Sequence, residues 1–275
     1  MTDVKAELVR ELVLAGLAVR EARWLIDEYT SDAGIDVIAV HSGAARRLGG
    51  EPLQYVLGHW PFRSLDVDVD ARVLIPRPET EELVGVAMAE LARTGLRAPV
   101  VVDLGCGSGA IGLALVHELL ERGVRATLIC VDASHDALDL AKHNARKHAI
   151  EDVSFVHSSW FDDVDESLRG RVDLIVANPP YVGERELLEL DPVLRYEPYA
   201  ALVSSDSSDV VGFADLELII NESPQWLSDQ GRLICEHGAT QRDAVVRSAR
   251  GAGFASVHVY DDVAGLARIV VARRA

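Results

Sequence analysis

Positive charge is scarce in this chain. Its 27 lysines and arginines face 44 aspartates and glutamates, for a net charge of −17. That balance opposes a broad electrostatic grip on phosphate backbones, which needs clustered basic side chains, so no direct nucleic-acid partner is expected. The basic groups Arg46-Arg47 and Arg20 with Arg23 read as solvated surface. Cysteine is scarce too. Cys106, Cys130 and Cys235 share no CxxC or CxxxC spacing, which argues against a disulfide framework or a cysteine zinc site and fits a reducing compartment. The nine histidines show no HExxH or clustered spacing, so no metal is expected. No apolar run approaches the length of a membrane span. The N-terminal MTDVKAELVRELV is charged throughout, where a signal peptide needs an apolar stretch. These absences together predict a cytoplasmic protein without a membrane partner, and nothing demands more than a monomer.

Apolar residues supply 49% of the 275 positions, enough for one large α/β domain or a medium domain with a small one. Residues 3–49 place Leu8, Leu12 and Ala15, then Ala22, Leu25 and Ile26, then Val37, Ile38 and Val40 at helical intervals, which predicts two or three short helices. LDVDVDARVLI (65–75) alternates apolar and polar residues like a half-exposed strand and pairs with HWPF (59–62) as a hairpin. From Pro76 the pattern changes. A helix beginning at Pro78 is followed by strand-like runs at 99–104, 126–132, 153–157, 172–178, 231–236, 255–260 and 267–273, with helical segments between most of them. The last two runs have no helix between them, so one strand returns antiparallel. The expected organisation is a helical bundle over 1–57, a β-hairpin linker over 58–75 and an α/β domain over 76–275.

DLGCGSGAIGLAL (103–115) sets Gly105, Gly107 and Gly109 between a predicted strand and a predicted helix. Glycines there let the backbone turn tightly and approach a nucleotide-like ligand at the sheet's carboxyl edge. The loop alone also satisfies a dinucleotide fingerprint, and Asp132 at the next strand end suits ribose hydroxyls under either reading. Asp103 opens an acidic-x-Gly-x-Gly-x-Gly pattern like that of class I S-adenosylmethionine methyltransferases. The expected fold is therefore a Rossmann-like, seven-stranded, mostly parallel sheet with an antiparallel last strand.

NPPY (178–181) follows the fourth predicted strand of that domain. Two consecutive prolines can neither extend a ladder nor continue a helix, so the segment is stiff and extended. Methyl transfer to an amide or exocyclic aromatic nitrogen needs its lone pair turned toward the methyl group. Acceptors on the two N–H bonds achieve this and stabilise the positive charge that develops. The Asn178 side-chain oxygen and the Pro179 carbonyl are the candidate acceptors, with Tyr181 to stack on the planar group. A dinucleotide oxidoreductase leaves residues 178–181 unexplained, and a binding-only protein makes them vestigial.

Beyond these motifs, EPLQYVLGHWPF (51–62), VLIPRPETEELV (73–84), RYEPYAAL (195–202), ICEHGATQ (234–241) and DDVAGLARIVVAR (261–273) occur in an order that resembles the release factor glutamine methyltransferase family across nearly the whole chain. The resemblance implies methylation of the side-chain amide of glutamine in the Gly-Gly-Gln motif of class I peptide-chain release factors. S-adenosylmethionine is the implied donor and S-adenosylhomocysteine the product. It also implies donor binding by Asp103, Gly105, Cys106, Gly107, Ser108, Gly109 and Asp132, with Trp160 packed on the adenine and Asn178 touching both donor and target. Pro179, Pro180 and Tyr181 would complete the substrate clamp, and the helical N-terminal domain would dock the protein substrate. Two departures stand out: Ser158-Ser159 precedes Trp160 where the family often carries an aspartate, and His237 replaces a more usual apolar residue. The alternatives are a glutamine methyltransferase of a large-subunit ribosomal protein, which the full IPRPETE form disfavours, and an adenine-N6 nucleic-acid methyltransferase, which the acidic charge disfavours.

Overall fold

A computed structural model describes residues 2–274; Met1 and Ala275 lie outside the described residues. Four helices open the chain: α1 (Thr2–Leu14), α2 (Val19–Glu28), α3 (Val37–Leu48) and α4 (Leu53–Leu57). A two-residue ladder, β1 (Thr30–Ser31) with β2 (Gly34–Ile35), lies between α2 and α3. The bundle therefore has one helix more than the periodicity predicts. The short α4 starts after Pro52 and ends at the left-handed Gly58, too brief to register as a period. Leu8, Leu12, Leu25, Ile26, Val40 and Val56 form a separate apolar cluster inside it.

The hairpin β3 (His59–Phe62) and β4 (Leu65–Asp68) follows. The alternating run was expected to stay extended to 75, yet the strand ends at Asp68. The Asp70 side chain accepts the Arg72 N–H at 3.0 Å and the Asp70 carbonyl accepts the Val73 N–H, which closes a turn. Val69, Val73 and Ile75 remain buried beyond that turn, so the alternation records burial without a ladder.

The rest alternates: α5 (Pro78–Thr94), β5 (Val100–Leu104), α6 (Ala110–Glu121), β6 (Thr127–Asp132), α7 (His135–Lys147), β7 (Val153–His157) and β8 (Val172–Ala177). A long connection over 178–213 contains the one-turn α8 (Tyr199–Leu202). The chain closes with α9 (Ala214–Trp226), β9 (Leu227–Glu236), α10 (Arg242–Gly251), β10 (Ser256–Asp261) and β11 (Ala267–Arg273). The seven-stranded sheet runs β7-β6-β5-β8-β9-β11-β10, parallel from β7 to β9, with β11 inserted antiparallel between β9 and β10. This is a class I methyltransferase fold. Apolar side chains fill both faces of the sheet, with α5, α6 and α7 on one and α9 and α10 on the other. β9 starts four residues before the predicted 231, because Leu227 pairs with Val172 before the register shifts. Among the described residues, no helix is long and apolar enough to cross a membrane.

The buried Glu90 carboxylate ties α5 to β9 and β11. Glu90 accepts Arg273 Nε and Nη2 at 2.8 Å, Arg232 Nε at 3.0 Å and Arg93 Nη1 at 2.5 Å. Arg273 and then Arg232, against the opposing effect of burial, hold the Glu90 carboxyl down at about 2. A folded-state value below the ordinary 4.5 means the contribution is complete above that pH and is lost as pH falls toward 2. Glu90→Gln is expected to cost about 3–5 kcal/mol at neutral pH by leaving buried Arg232 and half-buried Arg273 without their carboxylate. Thermal melts across pH should show the gap to wild type narrowing as the medium becomes acidic.

Candidate active site

In parallel sheets the strand ends gather ligand-binding loops along one edge. Here β5, β6, β7 and β8 run into the glycine loop, Asp132, Ser158 and Asn178, and residues from all four ends line one cavity of about 610 Å³. That size suits a drug-sized or nucleoside-sized molecule. Arg72, Val73, Leu74 and Pro76 add a wall from the segment after the hairpin, and Pro198 to Ala201 add another from the long connection.

The glycine loop is shaped by backbone conformation. Gly105 has φ +68°, and a Cβ there would lie 3.3 Å from the Trp160 ring. Gly109 has φ +80° and opens α6, where a Cβ would meet Leu113 at 2.8 Å. At both positions handedness strains a side chain, and the close neighbours add to the strain. The Gly107 N–H donates to Asp132 Oδ2 at 2.9 Å and the Ser134 N–H to Oδ1 at 2.8 Å. Asp132 therefore braces the loop, and each oxygen keeps a lone pair for a further donor. Burial raises its carboxyl above the usual range, against the Ser134 and Gly107 N–H groups.

Trp160 lines the cavity in a left-handed conformation, φ +48°, and its Nε1–H donates to Asp215 Oδ1 at 2.9 Å. Ser204 Oγ accepts the Asp215 N–H, so the indole is held through a chain of contacts from α9. Ser158, one of the departures, accepts the Asp163 N–H at 2.9 Å and serves its own loop.

Asn178 lines the cavity, as does Pro180. The Asn178 Nδ2–H donates to Thr80 Oγ1 at 3.3 Å, the Thr80 hydroxyl donates to Glu236 Oε2 at 2.8 Å, and the Tyr181 hydroxyl donates to Glu236 Oε1 at 3.2 Å. Burial pushes Glu236 up from the usual carboxylate range while Thr80 and Tyr181 oppose the shift. Burial pushes the Tyr181 phenol up as well.

Of the expected residues, Gly105, Cys106, Gly107, Ser108, Asp132, Trp160, Asn178 and Pro180 line the cavity. Asp103, Gly109, Pro179 and Tyr181 do not line it. Tyr181, expected to stack on a planar substrate, spends its hydroxyl on Glu236 in this structure. Asp103 is fully buried; its Oδ2 accepts the Gly112 N–H at 2.8 Å and its Oδ1 has no partner. Gly112 permits that approach, since a Cβ would lie 2.8 Å from Oδ2.

Several residues escaped sequence reasoning. Thr80 and Glu236 sit inside quoted motifs but carried no assigned role. Glu197 is buried, accepts the Ile75 N–H at 3.0 Å and pairs with Arg77, which joins the RPET and RYEP segments. The Gln241 amide nitrogen lies 2.8 Å from the Val211 carbonyl and 3.2 Å from that of Tyr181, which pins the long connection to NPPY. His237 is buried, with Nδ1 2.9 Å from the Gly238 carbonyl oxygen and Nε2 unpaired; burial lowers its pKa.

A family model described as a methyltransferase domain matches residues 97–256. A 16S rRNA methyltransferase from T. thermophilus, solved with AdoMet and guanosine, superposes with a TM-score of 0.54 at 15% identity, over 79% of this chain and 50% of that one. That likeness shows the fold; the matching domain model, over more than half of the chain, makes this chain a methyltransferase, and the sheet order is that of class I. Sequence comparison narrows the class further. Release factor glutamine methyltransferases of Aliivibrio fischeri and Yersinia pestis are 38% and 39% identical over 82% and 83% of this chain and 75% and 77% of their own lengths. The chain belongs to the release factor glutamine methyltransferase family.

Burial first, and the nearby charge of Asp132, push Asp103 up to about 7, against the Gly112 N–H. A folded-state value above the unfolded 3.8 contributes stability at low pH that is lost as pH rises through 7. Asp103→Asn keeps the acceptor without the charge. Its melting temperature is expected to gain on wild type progressively from pH 4 to about pH 8, as read by calorimetry.

Proposed function

We propose that this chain transfers a methyl group from S-adenosylmethionine to the side-chain amide nitrogen of glutamine in the Gly-Gly-Gln motif of class I peptide-chain release factors, leaving S-adenosylhomocysteine. The observation that carries this reading is the placement of Asn178 at the cavity wall, its amide tied to Thr80 and its segment stiffened by two prolines. Family membership supports the choice of acceptor, since the relatives are named for it.

The residues around the cavity fit the donor. Gly105 to Ser108 offer backbone that a nucleoside can approach, and Asp132 retains acceptor capacity for ribose hydroxyls. Trp160 offers a flat apolar face whose ring is fixed by Asp215. S-adenosylmethionine supplies an electrophilic methyl group on a sulfonium. The Asn178 oxygen at the cavity wall accepts from one amide N–H of the glutamine, and the adjacent Pro179 carbonyl, from a residue outside the cavity lining, is the proposed acceptor for the other. They turn the nitrogen lone pair toward the methyl group and stabilise the positive charge as it forms. No strong base is needed before transfer, because the proton leaves once the nitrogen is alkylated. The helical bundle over residues 1–57 is the proposed docking element for the protein substrate.

Labelled methyl transfer tests the reading, with a release factor, its Gly-Gly-Gln glutamine-to-alanine variant, a large-subunit ribosomal protein and duplex DNA as acceptors. Label is expected on the wild-type factor and absent from its variant. Label confined to the ribosomal protein or DNA overturns the acceptor. Asn178→Ala is expected to retain donor binding and lose ~10²–10³ in rate, the usual loss for one oriented hydrogen-bonding group. Asp132→Ala is expected to weaken donor binding, which calorimetry reads directly.

A further inference from the structure

Three segments remote in sequence meet at the cavity wall: Thr80 in the first turn of α5 and Asn178 after β8 line it, while Tyr181 after β8 and Glu236 at the end of β9 do not. Thr80 is 3% exposed and Glu236 2% exposed, so solvent does not serve their polar atoms. The hydrogen bonds among them take one direction while Glu236 is ionised, since an ionised carboxylate can only accept. Thr80 Oγ1 and the Tyr181 hydroxyl each lie against one oxygen of Glu236, so both hydroxyls donate to it. With its single proton committed, Thr80 Oγ1 has only lone pairs left for Asn178. The Asn178 amide must then present Nδ2–H to Thr80, as it does at 3.3 Å, which turns its oxygen away. The opposite amide rotamer would set the Asn178 oxygen against a lone pair of Thr80.

We propose that Thr80 is the positioning residue of the methyl-transfer site: polarised by buried Glu236, it fixes which end of the Asn178 amide faces the target glutamine. The proposal rests on the function set out above and adds Thr80, a residue of the cavity wall that acts through Asn178. It gives the threonine of IPRPETE a chemical task and makes Tyr181 a second donor that holds Glu236 as an acceptor. The chain Asn178–Thr80–Glu236–Tyr181 carries no proton in this account. Its task is orientation of an acceptor before the methyl moves. A misdirected amide would offer an N–H where the glutamine needs an oxygen, which raises the barrier and leaves docking of the protein substrate untouched.

The test compares wild type, Thr80→Val and Thr80→Ser in steady-state methylation of a release factor, with donor affinity read by calorimetry. Valine keeps the shape and removes the hydroxyl; serine restores the hydroxyl. Valine is expected to lower kcat about 10- to 100-fold, with KM for the factor and donor affinity near wild type. Serine should return kcat to within about threefold of wild type. If valine fails to fold, alanine replaces it and the same comparison with serine decides. A valine or alanine variant with wild-type kcat overturns the proposal, as does a serine variant as slow as valine. A loss confined to KM or donor affinity overturns it too, since that marks packing alone. A wild-type protein that methylates no release factor removes the function itself, a failure distinct from any of these.

Discussion

A buried carboxylate has to find its donors inside the protein, and Glu236 finds them in side chains that flank the reacting group. Its two hydroxyl partners come from residues 156 and 55 positions away in the chain. Holding that carboxylate means bringing the start of α5, the NPPY segment and the end of β9 to one point. The stiffness of two prolines fixes the path of the backbone, and the buried acceptor fixes the polarity of the side chains. Neither alone orients Asn178. Together they hold Asn178, its amide nitrogen on Thr80, at the wall of a cavity that the glycine loop and Trp160 complete.

The same device recurs around the site. Glu197 is satisfied by Arg77 and the Ile75 N–H, which draws the RYEP segment onto RPET. Asp132 is satisfied by two backbone N–H groups, which draws the glycine loop onto β6. Tyr196, from the long connection, donates to the Gly49 carbonyl at 3.0 Å and reaches the helical bundle. In a chain with 44 acidic residues, some of the acids thus work inward as acceptors that tie loops together, while the remaining excess sets the surface charge. Asp103 is the exception: one oxygen is unpaired, and burial shifts its titration toward neutrality.

Much of this was legible in the sequence because burial on both faces leaves a parallel strand as an unbroken apolar run. VVVDL, TLICVD and VDLIVA are strands for that reason, and the left-handed turns of the glycine loop demand the glycines that mark it. The motif residues Asn178, Asp132 and Trp160 do line the cavity together. What was not legible depends on partners distant in sequence. A threonine in the first turn of a helix reads as ordinary helix chemistry until Glu236 is placed beside it. Tyr181 reads as a stacking platform until its hydroxyl is seen against that carboxylate. The alternation over 65–75 fails for the opposite reason, since a local turn at Asp70 overrides a pattern that only reported burial.

The central claim is that the oriented acceptor at Asn178 directs a methyl group to nitrogen. A release factor labelled with nitrogen-15 in its glutamine side chains, methylated from a donor carrying a carbon-13 methyl group, tests this by NMR. A directly bonded carbon-13 to nitrogen-15 pair is expected at a single glutamine, that of the Gly-Gly-Gln loop. A transferred methyl without coupling to nitrogen, or one on a different glutamine, would contradict it.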